Sequence, residues 1–365
     1  MPTVADALRQ HGDDYLRQFG NRMPLQHKRV LSLIRRCRTG ELGHLRFDCD
    51  TCRRTHWVGR SCNNRHCPNC QSDKIQIWLN KRLHELLPVP YFMVTFTLPA
   101  ALHDVARQHQ QVIYNILFRT SAEALQQLAG DPRYVGGQIG MVGVLHTWGR
   151  NLSYHPHVHY VVPAGGWSAA ESQWLAARHN FLVPVKALSL LFRAKFRDAL
   201  KQAGLFDQVP ATVWQSDWVV HCKPVGKGQG ALKYLAPYIF RIAISNRRIL
   251  KVAHDKVTFR YRASDTGRWR TCTLSAEEFL RRFLQHVLPK GFVKVRYYGL
   301  FSPSRRYQLP LIQSALTGTE DEIEAEHEAQ ARPDTADPVT NVSCPHCGQP
   351  MRWVKRLRPS ARCPP

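Results

Sequence analysis

Apolar residues from about Val4 to Leu33 recur at three- and four-residue spacing, which predicts one or two amphipathic helices at the start of the chain. Gln71–Leu87 repeats that pattern with a basic polar face and predicts a further helix, stopped at Pro88. The period then changes. Tyr91–Leu98 (YFMVTFTL) is β-branched and aromatic between Pro90 and Pro99, and predicts a buried strand. Two helical segments are expected within about Leu102–Ala129. Met141–Trp148 and His157–Val162 predict two strands joined by the turn-like GRNLSYHP, Val213–His221 another strand, and Gly230–Ile244 a helix. Antiparallel strands with helices inserted between them make the fold class α+β. Beyond Leu309 the pattern fades into an acidic stretch rich in Pro, Ala and Thr, which reads as a linker. The boundaries expected are 1–87, 88–310 and 311–365.

Charge narrows the partners. The chain of 365 residues holds 51 Lys and Arg against 27 Asp and Glu, a formal charge of +24. Thr319 to Pro338 takes 8 of those 27 acids with one base, Arg332, so the basic excess is steeper elsewhere. An excess this large calls for a polyanionic partner, and nucleic acid is the expected one. No apolar run is long enough to span a bilayer and no signal peptide stands out, so a membrane partner is excluded and a cytoplasmic, nucleoid-associated location is expected.

The 11 cysteines are an odd number, several of them in Cys-x2-Cys pairs, which points to metal rather than disulfides. Cys49-x2-Cys52 and Cys67-x2-Cys70 are separated by 14 residues, as in a zinc ribbon where each knuckle supplies two thiolates. The ligand set expected for structural Zn2+ is therefore Cys49, Cys52, Cys67 and Cys70. Cys62 and His66, with Cys37 or His44 further off, are left to swap in or to build a second site. The tail CPHCG at Cys344 to Gly348 is half of a similar ribbon, with His346 or Cys363 as partners to complete it. Arg46, Arg53, Arg54, Arg60 and Arg65 surround the knuckles and suit a grip on duplex or hairpin DNA.

His157-Val158-His159 opens an apolar strand, so both imidazoles point to one face and can reach one ion. Two such ligands leave positions open for phosphate oxygens and water. Tyr234-x3-Tyr238 on a helix sets two phenols one above the other.

In order along the chain stand SCNNRHCPNCQ at Ser61, FTLP at Phe96, LHTWGRNLSYHPHVHYVVPAGG at Leu145, HCKP at His221, YLAPYIFRIAISNRRI at Tyr234 and LPKGFVKVRYYG at Leu288. Together they resemble the HUH single-strand endonucleases and, more narrowly, the two-tyrosine rolling-circle transposases of the insertion sequence ninety-one family. The resemblance implies an HUH-type antiparallel sheet with flanking helices, preceded by a small zinc-ribbon-like helical module. It implies single-strand cleavage through a 5′-phosphotyrosine bond, with Mg2+ or Mn2+ at His157 and His159. It also implies DNA partners at transposon ends, single-stranded or hairpin. A third ligand is expected at His146, with Asn246 as second choice. Tyr234 is expected to cleave and Tyr238 to carry the second transfer, while Arg241, Arg247, Arg248, Lys294 and Arg296 are candidate phosphate contacts.

Pro237 departs from that pattern, because it removes the amide that would bond Lys233 and costs a helix interior roughly 3 kcal/mol. A kink there would turn Tyr238 away from Tyr234. Two other readings stand beside the nuclease: a zinc-ribbon DNA-binding protein or regulator without catalysis, and a hydrolytic metallonuclease. A three-carboxylate transposase is disfavoured because no spaced Asp/Asp/Glu set stands out in so acid-poor a chain.

Overall fold

A computed structural model describes residues 1–239, 243–263, 265–318 and 342–358. The chain forms two compact units, each built from separated segments: one from Met1–Lys74, Phe240–Val287 and Glu324–Pro365, the other from Ile75–Ile239 and Leu288–Ile323. These units cut across the three consecutive segments expected from the sequence, because a strand near each end of the chain pairs with the other. The class is α+β, as expected.

The first unit opens on Val4–Phe19, whose N-terminus is closed by a capping box between Thr3 and Asp6. Leu25–Arg35 packs beside it. Ala276–Leu284 also packs on the first helix, with Phe279, Leu280 and Phe283 buried. Two small antiparallel sheets complete the unit. One is the meander Ile249–Ala253, Lys256–Arg262 and Trp269–Ser275. In the other, His44–Asp48 lies between Thr55–Gly59 and the tail strand Arg352–Leu357.

The second unit is a five-stranded antiparallel sheet ordered Val295–Gly299, Gly140–Trp148, Tyr154–Pro163, Tyr91–Thr97 and Val220–Pro224. Tyr154–Pro163 is central. Because side chains alternate, Val158, Tyr160 and Val162 share one face and His157 and His159 the other. The first face is dry: Phe96, Val158 and Tyr160 join residues of the helices Gln110–Ala129 and Val185–Gln202 in one core.

Several elements depart from the sequence pattern. Val213–His221 is not one strand: a short turn of helix covers Ala211–Trp214 and the strand begins only at Val220. The Ser216 hydroxyl and the Trp218 indole N–H both donate to the Val213 carbonyl, which closes a turn where the pattern suggested extension. The helix expected over Gly230–Ile244 spans Gln229–Ile239 as described, and Ala243 has φ +55°, outside helical space.

Phe192 is fully buried, with ring centroids of Phe96, Phe196 and Trp218 at 5.0, 5.9 and 5.1 Å. Phe192→Ala is expected to lower stability by about 3–5 kcal/mol and Phe192→Leu by less, read from urea unfolding followed by tryptophan fluorescence.

Candidate active site and cysteine clusters

His157 and His159 point away from the helix-covered face of the central strand, and the register of the neighbouring strand supplies a third ring. His146 is the Cα partner of His157, so both project on the same side. Each of the three offers one nitrogen, and these atoms lie within 4.8 Å of one another. The opposite nitrogens of His157 and His159 are already engaged. His157 Nδ1 is 2.7 Å from the His155 carbonyl, and His159 Nδ1 is 2.8 Å from the Thr95 hydroxyl, Thr95 being the Cα partner of His159 on the next strand. The carbonyl can only accept, so it keeps the His157 proton on Nδ1 and leaves Nε2 as the free donor of an electron pair; the Thr95 hydroxyl does the same for His159 when it accepts. His146 is only 2% exposed, and its Nε2 has no hydrogen-bond partner.

A buried imidazole nitrogen with no partner costs free energy unless something satisfies it. Burial is the largest influence on all three rings: it holds His146 and His157 well below their ordinary value, with neighbouring imidazoles adding to it, and takes His159 down to about 4. At neutral pH the cluster is therefore three neutral imidazoles with lone pairs available, a donor set that fits a divalent cation and leaves coordination positions for oxygen ligands.

The tyrosine helix Gln229–Ile239 buries Ala231, Leu232, Leu235, Ala236 and Ile239, a stripe that packs it against the strand carrying His146. Tyr234 and Tyr238 flank that stripe. The Tyr238 ring centroid is 5.1 Å from His146 and 5.5 Å from Trp148, and the Tyr234 centroid is 6.3 Å from His159. The two phenol rings are 6.0 Å apart. Pro237 lies inside the helix, yet the kink anticipated from it does not part the two rings. Tyr234 is 52% exposed, and the partial desolvation of its phenol raises it above its ordinary value; Tyr238 adds to this and the Arg150 guanidinium opposes it.

The charged candidates divide. Lys294 is 4% exposed and its ammonium donates to the Tyr238 carbonyl, so it steadies the tyrosine helix from inside the protein. Arg296 donates to Asn115 and lies over Phe118 at 4.4 Å, and Arg248 donates to the Arg260 carbonyl over the Phe259 ring. Arg247 is exposed, and Arg241 lies outside the described residues. Asn246, the second choice for a metal ligand, belongs to the first unit, where it accepts from the Val4 amide and donates to Asn69.

The cysteines of the first unit form two clusters, and these differ from the expected foursome. Cys67 and Cys70 join Cys37 and Cys62, while Cys49 and Cys52 join Cys344 and Cys347. The two Cys-x2-Cys pairs are divided because the hairpin His44–Asp48 and Thr55–Gly59 carries the first knuckle to its outer end, beside the tail strand. His66 is buried and its Nδ1 is bonded to Asn64, outside either cluster. His346 is bonded to Arg54, and Cys363 lies outside the described residues. In the first cluster Cys62 Sγ is 3.8 Å from Cys70 Sγ. Neighbouring sulfurs around a tetrahedral zinc are separated by about 3.8 Å, given Zn–S bonds near 2.3 Å. Cys37 and Cys62, alternatives able to swap in on the sequence alone, are both brought by the fold beside Cys67 and Cys70.

Residues 140–308 match a family model described as "Putative transposase", and residues 7–98 match one described as "Transposase zinc-binding domain". The chain is 38% identical over 374 residues to "Putative transposase y4qJ" of Sinorhizobium fredii, covering 95% of this chain and 93% of that one. It is 27% identical over 283 residues to "Transposase for insertion sequence element IS801" of Pseudomonas savastanoi pv. phaseolicola, covering 73% and 68%. No solved structure matches.

The buried imidazoles make a pH prediction. The unfolded chain binds protons as pH falls through about 6.5, whereas the folded chain refuses them until about 4 at His159. In that window the unfolded state holds more protons, so stability falls as pH falls. Thermal unfolding should show a shallower loss between pH 6.5 and 4 in His157→Gln with His159→Gln than in the wild type, and equal slopes would exclude the assignment.

Proposed function

We propose that this chain, which belongs to the insertion sequence ninety-one family of transposases and carries their zinc-binding domain, cuts and rejoins single-stranded DNA through a tyrosine–DNA bond. The observation that carries the reading is the convergence of three neutral imidazoles, His146 buried and His157 and His159 half-buried, on one sheet face with two phenols of one helix beside them. A regulator that only bound DNA would have no use for such a buried donor set.

The Tyr234 phenolate attacks the scissile phosphorus; the bond to the 3′ oxygen breaks, that oxygen takes up a proton, and the 5′ phosphate stays on the tyrosine. The covalent bond keeps the energy of the phosphodiester, so a 3′-hydroxyl at a new site can displace the tyrosine without ATP. Tyr238 repeats the chemistry for the second transfer while the first end is still attached. His146, His157 and His159 would hold Mg2+ or Mn2+, which when bound polarises the phosphate and offsets charge on the leaving oxygen. His155 and Thr95 keep those rings in the metal-binding tautomer. Lys294 holds the end of the tyrosine helix against the sheet, and exposed Arg247 is a phosphate contact. Cys37, Cys62, Cys67 and Cys70 would hold a structural Zn2+, all four positions closed by thiolate, in a module that grips duplex or hairpin DNA at the element's ends.

Phenylalanine keeps the ring and loses only the hydroxyl, so Tyr234→Phe should fold normally and form no denaturation-resistant adduct with single-stranded end DNA. Tyr238→Phe should form the first adduct and fail to complete transfer, with mass spectrometry of the trapped peptide identifying the residue. An adduct on neither tyrosine, with transfer intact in the double variant, sinks the proposal; cleavage leaving protein-free 5′ ends supports hydrolysis instead.

Separately, His157→Ala with His159→Ala, or chelation of the wild type, should bring cleavage to background while single-strand binding measured by anisotropy stays within about threefold, a difference of less than 1 kcal/mol. Undiminished cleavage would remove the imidazoles from the mechanism.

A further inference from the structure

Cys49 and Cys52 lie in the first knuckle of the chain and Cys344 and Cys347 almost at its end, yet their sulfurs all lie within 4.8 Å of one another. Cys49 Sγ is 3.5 Å from Cys347 Sγ, and Cys52 Sγ is 3.6 Å from Cys344 Sγ. All four are free thiols. These separations are close to the spacing of about 3.8 Å that four thiolates adopt around one tetrahedral zinc.

The backbone repeats the same turn at each pair. The residue after the second cysteine is left-handed in all three Cys-x2-Cys motifs: Arg53 at φ 54°, Gln71 at 77° and Gly348 at 73°. Glycine adopts that conformation freely, whereas Arg53 and Gln71 adopt it at a cost that the surrounding structure must offset. Amides of the turn are aimed at sulfur in both halves, from Thr51 and Cys52 to Cys49 and from His346 and Cys347 to Cys344.

The tail is fastened by more than sulfur. Arg352–Leu357 pairs along the whole of His44–Asp48, the Met351 amide bonds the Val342 carbonyl, and Phe47 and Met351 are buried beside Cys49 and Cys344.

We infer that Cys49, Cys52, Cys344 and Cys347 form a second zinc site, each Cys-x2-Cys pair supplying half, which fastens the end of the chain onto the hairpin of the zinc-binding domain. Neither half closes an ion alone, since two thiolates leave a tetrahedral zinc two positions short. Without the tail, His44–Asp48 and Thr55–Gly59 would be an isolated two-stranded hairpin, a structure of marginal stability in water. The arginines on this small sheet and its turns, Arg46, Arg54 and Arg352 among them, are thus held by a metal that both ends of the chain must supply. The inference requires no DNA chemistry and does not depend on the strand-transfer reading.

Metal analysis of the full-length protein by native mass spectrometry tests it. The wild type should carry two zincs per chain. Cys344→Ser with Cys347→Ser should lose one, as should Cys49→Ser with Cys52→Ser, and combining the four substitutions should lose no more than that one. Maleimide labelling mapped by peptide should find Cys49 and Cys52 newly reactive in the tail variant, with Cys37, Cys62, Cys67 and Cys70 still protected. Cys344→His, which keeps a zinc ligand, should retain both ions. A zinc count unchanged by loss of Cys344 and Cys347, with Cys49 and Cys52 still protected, overturns the inference. Should the tail variant not fold, the wild type decides alone: one zinc, or Cys49 and Cys347 reactive without chelator, refutes the site.

Discussion

His146 and His157 oppose each other across the ladder between Gly140–Trp148 and Tyr154–Pro163, and that pairing is the constraint on which the imidazole cluster of the second unit depends. A strand has a side-chain period of two, so a slip of one residue would send His146 into the helix-covered core and bring Leu145 to the imidazole face. The core guards against the slip. Val158, Tyr160 and Phe96 are fully buried against two long helices, and turning any of them out would expose its apolar surface while burying a polar ring. Apolar packing on one side of the sheet thereby holds three polar rings in position on the other.

The tyrosine helix depends on the same arrangement at one remove. Its apolar stripe rests on the strand that bears His146, so the position of the phenols follows from the sheet rather than from helix propensity, which Pro237 weakens. Lys294 ties the same helix to the sheet by donating to the Tyr238 carbonyl.

In the first unit the cysteines gather into two groups of four. Its apolar core around the hairpin is thin, Phe47 and Met351 with two cysteines, and small cores of this kind are commonly stabilised by metal. Asn246 joins the amide at the start of the first helix to Asn69 between Cys67 and Cys70, so one knuckle is also coupled to a distant segment of chain.

Much of the site was readable before folding. His157 and His159 share a face by strand period alone, Tyr234 and Tyr238 by helical period, and His146 was reachable from the expected hairpin; the fold class followed from the alternation of strands and helices. What the sequence misassigned was non-local. The spacing of two Cys-x2-Cys pairs suggested one ribbon, but spacing counts residues along the chain and says nothing of a partner knuckle 292 residues away. Only the tail strand on His44–Asp48 decides that partnership. The strand expected over Val213–His221 failed for a related reason, since side-chain bonds to the Val213 carbonyl outweigh the extended preference of the segment. Lys294 was expected as a phosphate contact, whereas its buried ammonium donates to the Tyr238 carbonyl. The sequence by itself determined which residues could share a face, because periodicity is a local property of the backbone; the tertiary structure alone decided which faces and which thiolates meet, because long-range pairing is fixed by packing and register.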